Sequence, residues 1–206
     1  SEESLSLKSI VVYGIAKPND QGWMGGPIVG RGNFMPTYVT GLDPETGQGP
    51  RAVVHYTTGA QAVEVEVDMD TGQVEVIRGV AAFDVGKAIN PEMVRGQMEG
   101  GFVQGVSSAL FEGLQLKQGV PQNPSFVDYR IATSADAPQK IETIIVEVPS
   151  RHHPYGARGV GEMPIVPPAA AIANAIAAAT GQRITRLPMT PARVLEATGA
   201  LKGPQG

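Results

Sequence analysis

One carboxylate in this sequence is well placed for acid–base chemistry. Glu162 follows three glycines, Gly156, Gly159 and Gly161, and precedes an apolar run that begins at Met163. Glycines let backbone N–H groups approach a bound ligand closely. An apolar, dry surrounding disfavours the charged form of a carboxyl group and makes it a better proton acceptor. The pattern therefore predicts a ligand-binding loop with Glu162 as a general base. The alternative is an ordinary acid that is favoured near the start of the following helix.

A second candidate group lies on a helix that the apolar spacing predicts over residues 92–112. Its apolar residues recur every four positions: Val94, Met98, Phe102, Val106 and Leu110. The helix also contains Gly96, Gly100, Gly101 and Gly105. Each interior glycine costs up to ~1 kcal/mol relative to alanine, so close packing or an approaching ligand should offset that cost. Gln97, Gly101, Gln104 and Ser108 share one face. Gln97 can hydrogen-bond a ligand there, or it can simply belong to an exposed polar face.

The residues that usually hold a metal are scarce. The chain has no cysteine, which excludes disulfides, cysteine zinc sites, a cysteine nucleophile and iron–sulfur clusters held by this chain alone. His152 and His153 are adjacent, so their side chains do not easily converge on one ion. We predict no metal ligated by protein side chains. Motifs of zinc proteases, phosphate-binding loops and serine hydrolases are also absent.

Composition excludes further classes. Sixteen Lys and Arg against twenty Asp and Glu give a net charge of −4, without the basic stripe that is typical of nucleic-acid-binding proteins. We find no charge-free apolar stretch of ~18 residues and therefore expect no membrane span. The first residues, Ser-Glu-Glu-Ser, lack the basic and apolar pattern of a signal peptide, and a cytoplasmic location is expected.

The elements that must position these residues follow a mixed order. Alternating valines predict a β-hairpin within residues 52–80, and a further strand is expected at 141–148. An Ala-rich helix should run from Pro168 to Thr180, and a last helix from Pro191, capped by Thr190, to residue 198. Short strands are possible near residues 129–131 and 183–187. The order predicts an α+β fold, with a Gly/Pro-rich arm at residues 1–50 and a domain at 51–206.

Five stretches of the sequence resemble one family. Residues 159–162 with 164–171 resemble the catalytic segment of the molybdenum hydroxylases, which include the large subunits of xanthine dehydrogenase, aldehyde oxidase and carbon monoxide dehydrogenase. Four further stretches agree with this family in order and spacing: residues 62–72, 84–91, 96–105 and 187–195. The resemblance covers about residues 40–198 and implies the C-terminal, molybdopterin-binding portion of the large subunit.

The resemblance also implies a chemistry. In this family a pterin dithiolene holds the molybdenum, so a chain without cysteine is compatible with it. The glutamate that aligns with Glu162 is the general base toward a molybdenum-bound hydroxyl, and oxygen from water enters an electrophilic carbon. Gln97 aligns with a glutamine that contacts the cofactor, and Gly159, Val160 and Gly161 would offer backbone N–H groups to it. The substrate would be a heteroaromatic compound, an aldehyde or a similar small molecule.

The implied partners supply what this chain lacks. They are a chain that carries the N-terminal half of the molybdenum subunit, and subunits or domains that hold iron–sulfur clusters and FAD. The cytosine dinucleotide form of molybdopterin is expected. Two alternatives remain open, namely a non-catalytic scaffold or binding subunit of the same fold and a reductive dehydroxylase of the same family.

Overall fold

The structure, a computed structural model, describes residues 30–201 and divides the chain into two units, Ser1–Thr37 and Tyr38–Gly206. Every helix and strand given below belongs to the second unit. The boundary that the composition predicts between residues 50 and 51 stays a prediction.

The predicted hairpin is confirmed. Strand β1, Gly59–Val67, pairs antiparallel with β2, Val74–Asp84. The connecting turn forms because Asp68 Oδ1 accepts hydrogen bonds from the backbone N–H groups of Asp70 and Thr71, at 2.8 and 3.0 Å. Gly72 then adopts a φ of +75°, which a residue with a Cβ rarely adopts. Local turn chemistry therefore sets the register of the two strands.

Helix α1, Pro91–Leu110, follows β2, and its start and buried stripe agree with the sequence pattern. Asn90 caps the helix, since its Oδ1 accepts a hydrogen bond from Met93 N at 3.2 Å. The predicted stripe is buried along its whole length: Val94, Met98, Phe102, Val106 and Leu110.

The main sheet is mixed. A short hairpin lies between α1 and strand β5, Lys140–Val146. Its two strands have two residues each, β3 (Leu116–Lys117) and β4 (Val120–Pro121). The strand order is β1-β2-β5, and β5 runs parallel to β2. Parallel neighbours need a crossover connection, and α1 lies in that connection. The fold is α+β as expected, because the sheet combines the antiparallel pair β1 and β2 with one parallel strand, β5, and the helices do not alternate regularly with the strands.

The core lies where α1 faces the sheet. Phe102 and Met98 are fully buried. A Cβ on Gly79 of β2 would lie only 2.3 Å from Phe102 Cζ. The ring therefore rests directly on the strand backbone, and a glycine in the strand makes that contact possible.

Helix α2, Pro168–Thr180, ends at Gly181, whose φ is +74°. It belongs to a charge-free segment, Met163–Thr180, with a mean hydropathy of 1.4, which is long and apolar enough to cross a membrane by length and composition alone. The expectation that the sequence has no apolar stretch of this length is therefore wrong. The helix itself has 13 residues, about 20 Å of length, which is shorter than a hydrocarbon core of ~30 Å. Ile172 and Ile176 place one side of the helix in the protein core, although only 22% of the 18-residue segment is buried.

The remaining elements differ in detail from the expectations. Helix α3, Pro191–Thr198, begins where predicted, but the side chain of Thr190 makes no capping hydrogen bond. Residues 129–131 and 183–187 are not strands, and the short hairpin of β3 and β4 was not expected. Apolar residues form a strand only where a neighbouring strand offers its backbone groups, and a pattern within one segment does not contain that information.

Candidate functional site

The glycine-bearing face of α1 supports the segment that contains Glu162. A Cβ on Gly101 would lie 2.9 Å from Pro164 Cβ, and one on Gly105 would lie 2.5 Å from Pro168 Cγ. Both glycines therefore allow the chain after Glu162 to lie directly on the helix. Close packing offsets the cost of glycine at these two positions, as expected. At Gly96 and Gly100 a Cβ would meet nothing within 4 Å, so no described residue explains them.

Two alanine substitutions on α1 test this packing. Gly105→Ala should destabilise the protein by about 1–3 kcal/mol, because the added Cβ meets both Pro168 and the carbonyl oxygen of Ile165, 2.8 Å away. Gly100→Ala is the matched control, since it adds a Cβ to the same helix in open space. It should stabilise by about 0.5–1 kcal/mol through helix propensity. The measurement is the unfolding temperature of each variant. Equal shifts for both variants would contradict the packing that we describe.

An amide on β1 holds the same segment from the other side. Gln61 Nε2 donates a hydrogen bond of 2.9 Å to the carbonyl oxygen of Pro164. Its Oε1 is buried and has no hydrogen-bond partner among the residues that the structure describes. Gln61 is not among the residues that the sequence pattern predicts for the site. Its only signal was a polar residue at a position of β1 that faces inward, which does not reveal its partner 103 residues away.

The structure brings Gln97 and the glycine loop together. A Cβ on Gly161 would lie 3.9 Å from Gln97 Oε1, which places the exposed amide beside the loop backbone. Val160 is half-buried and packs against the core, so it anchors the loop between two exposed glycines. Gly159 faces open space. Neither Gly159 nor Gly161 has a positive φ. The absence of a side chain at these positions therefore leaves space at the surface of the loop, and it is not needed for a left-handed backbone conformation.

Glu162 lies at the end of this loop, and its side chain is exposed. Its carbonyl oxygen accepts a hydrogen bond of 3.1 Å from Ile165 N, at the start of a short 3₁₀ turn, Met163–Ile165. The chain enters the core only at Pro164, which is buried. The dry surrounding that we expected for Glu162 is therefore not formed by the described residues, because the apolar residues after it turn toward α1 and leave the carboxylate at the surface.

The site is an open surface in this chain. A shallow groove of about 190 Å³ runs beside it, lined among others by Met93, Gln97, Arg158 and Val160. Larger cavities of about 530, 510 and 380 Å³ lie elsewhere on the described part of the chain, the first two near residues 189–191, and none of the three is lined by a predicted site residue. The other two residues that share the face with Gln97 differ, since Gln104 is exposed and Ser108 is half-buried.

The histidines contact different partners. The rings of His55 and His153 are 4.5 Å apart at nearly a right angle, whereas His152 lies 5.0 Å from the ring of Tyr38. Burial, and secondarily the nearby His153 and Arg158, hold the pKa of His55 below its usual value. Within residues 30–201, no three His, Asp or Glu side chains converge as metal ligands would.

Known proteins are similar to this chain in sequence and in fold. The sequence model of the molybdopterin cofactor-binding domain matches residues 3–138 of the 206. The putative xanthine dehydrogenase molybdenum-binding subunit XdhA of Escherichia coli K12 is 40% identical over 140 residues, 67% of this chain and 18% of that protein. The aldehyde oxidoreductase of Megalodesulfovibrio gigas is 38% identical over 169 residues, 82% of this chain and 18% of that protein.

Solved structures agree. Quinoline 2-oxidoreductase from Pseudomonas putida 86 superposes with a TM-score of 0.65 at 31% identity, over 69% of this chain and 19% of that one. The chain thus spans less than a fifth of the length of these relatives. The family match begins inside the predicted arm and ends before Glu162. Sequence and fold together show that this chain belongs to the molybdenum hydroxylase family, as part of a molybdenum-binding subunit with the α+β architecture of its molybdopterin-binding region.

Proposed function

We propose that this chain is part of a molybdopterin-dependent hydroxylase or dehydrogenase in which Glu162 is the general base. The observation that carries the proposal is the approach of Gln97, from α1, to Gly161, the residue directly before the exposed Glu162. A helix thus presents an amide beside a loop 64 positions further along the chain, at the point where the loop reaches Glu162.

The residues present fit a pterin-bound molybdenum. The chain has no thiolate to offer, so it fits a metal that carries its own sulfur ligands. Such a group needs hydrogen-bonding partners and room from the protein, which the exposed Gln97 amide and the exposed Gly159 and Gly161 provide. Gln97 and the backbone of Gly159, Val160 and Gly161 would hold the pterin, and the bound group would supply the two-electron oxidation chemistry.

Gln97 and Glu162 would then have separate roles in binding and in proton transfer. The Gln97 amide donates to or accepts from polar atoms of the pterin and orients it. A carboxylate oxygen of Glu162 accepts a proton from a water-derived hydroxyl while oxygen is transferred to carbon. In the overall reaction, a C–H group and one water molecule are converted to a C–OH group, two protons and two electrons. Because Glu162 is exposed in this chain, a polypeptide with the rest of the molybdenum subunit would close the site around it.

We also propose a substrate class, a form of the pterin and the partner subunits. The names of the relatives favour a heteroaromatic ring or an aldehyde as substrate. We propose the cytosine dinucleotide form of the pterin, with iron–sulfur clusters and FAD on partner subunits or domains that receive the electrons. A polypeptide with the rest of the molybdenum subunit would complete the site. The cytoplasmic location stays a prediction.

Metal analysis of the native assembly tests the proposal. The complex that co-purifies with this chain should contain about one molybdenum per chain, and Gln97→Ala should lower that content about two- to tenfold, because one hydrogen bond to the cofactor is lost. Alanine favours helix, so a loss would not reflect a weaker α1. Gln182→Ala, at an exposed position after α2, is the control and should retain the metal. A complex without molybdenum would instead support the scaffold alternative.

A further inference from the structure

We propose that Asp84 is a positioning residue for Glu162 and that it acts through Arg158. The inference rests on the proposed role of Glu162 and adds the device that holds its loop. Arg158 is the residue directly before Gly159. Any group that fixes Arg158 therefore fixes the point at which the loop leaves the body of the domain.

The carboxylate of Asp84 joins three segments. Its Oδ1 accepts hydrogen bonds from Gly86 N at 2.9 Å and from Val148 N at 3.1 Å, beyond the ends of β2 and β5. Its Oδ2 lies 3.6 Å from Arg158 Nε. Two strand ends and the start of the loop thus meet on one side chain, which is only 13% exposed.

Arg158 depends on this contact. Its side chain is 20% exposed, and its Nε is buried with no hydrogen bond to any residue of the described range 30–201. Its Nη1 donates a hydrogen bond of 3.3 Å to the carbonyl oxygen of Tyr56. Without the negative charge of Asp84, a nearly buried cation would lose its counter-ion, and we expect it to turn toward water.

The backbone around the pair is too crowded for the loop to shift independently. Arg158 N donates to the carbonyl oxygen of Val85 at 2.9 Å. A Cβ on Gly86 would lie 2.2 Å from the carbonyl oxygen of Gly156. The loop therefore starts in direct contact with the end of β2, and a movement of Arg158 is passed to Gly159 and on to Glu162. A displacement of about 1 Å at a reacting group can lower a rate up to about 100-fold.

The test is Asp84→Asn in the molybdenum enzyme assembled with its partner chains. The substitution keeps an oxygen for Gly86 and Val148 but removes the charge that faces Arg158. We expect kcat to fall about 10- to 100-fold, with KM and molybdenum content unchanged. Hydrogen exchange should accelerate at least about fivefold in residues 157–162 and stay unchanged in β2 and β5. The double variant Asp84→Asn/Arg158→Gln should be no slower than Asp84→Asn, because both act through one contact.

Glu142→Gln is the matched control. It removes the ion pair of 2.8 Å between Glu142 and Arg78, which joins the same two strands at an exposed position, and it should change neither kcat nor exchange in the loop. Glu162→Gln is assayed in parallel. If Glu162→Gln is inactive and Asp84→Asn is fully active, the positioning role is overturned and the general base stands. If Glu162→Gln is active, the proposed function itself fails. Faster exchange throughout the sheet, with loss of molybdenum, would show that Asp84 is merely structural.

Discussion

Replacing Glu162 by glutamine should lower kcat of the assembled enzyme by about 10²–10⁴-fold, the usual contribution of a general base. Glutamine has the same shape but cannot take up the proton. Glu162 is the N-cap residue of the following 3₁₀ turn, but its side chain makes no capping hydrogen bond. Replacing the carboxylate should therefore leave the fold and the molybdenum content unchanged. The measurement is steady-state turnover together with molybdenum per chain. The combination of lost turnover and retained metal separates a chemical role from a binding role.

Glu196, an exposed acid on α3, is the control residue for Glu162. Glu196→Gln removes an exposed carboxylate from α3 and should leave kcat unchanged. Near-normal turnover of the Glu162→Gln enzyme would reject the general base. The same result would also remove the main argument against the scaffold alternative.

Phe102→Ala should destabilise the protein by about 3–5 kcal/mol, the usual loss for a large buried aromatic side chain. Phe102 is 0% exposed and lies between α1 and the backbone of Gly79. Its removal leaves a cavity at the centre of the helix–sheet contact, on the helix that carries Gln97 and Gly101. Urea denaturation of the purified complex measures the free energy of unfolding.

Phe126 is the matched control, because the same residue type is 79% exposed there. Phe126→Ala should change the free energy of unfolding by less than about 0.5 kcal/mol, as surface substitutions usually do. A loss below about 1 kcal/mol at Phe102 would contradict the central position of its ring.

Much of the fold follows from short stretches of sequence. The alternation of Val63, Val65 and Val67, with the Asp68 turn after them, sets the hairpin. Asn90 and the four-residue apolar spacing set the start and the buried stripe of α1. These signals are local, since each depends on residues that are neighbours in the chain. The predicted strand at 183–187 is absent because pairing depends on a neighbour far away in sequence.

Residue types and spacing by themselves predicted Glu162 as a candidate base beside a glycine loop, and the resemblance to the family added Gln97 and the backbone of Gly159, Val160 and Gly161. These site roles stay predictions. The sequence determined the family, because family motifs are patterns of neighbouring residues. Only the tertiary structure decided that Gly101 and Gly105 serve packing, that Gln61 contacts Pro164 and Asp84 contacts Arg158, and that Glu162 is exposed. Each of these depends on atoms that lie close together in space although their residues are distant in the chain, and such proximity results from the packing of the whole domain.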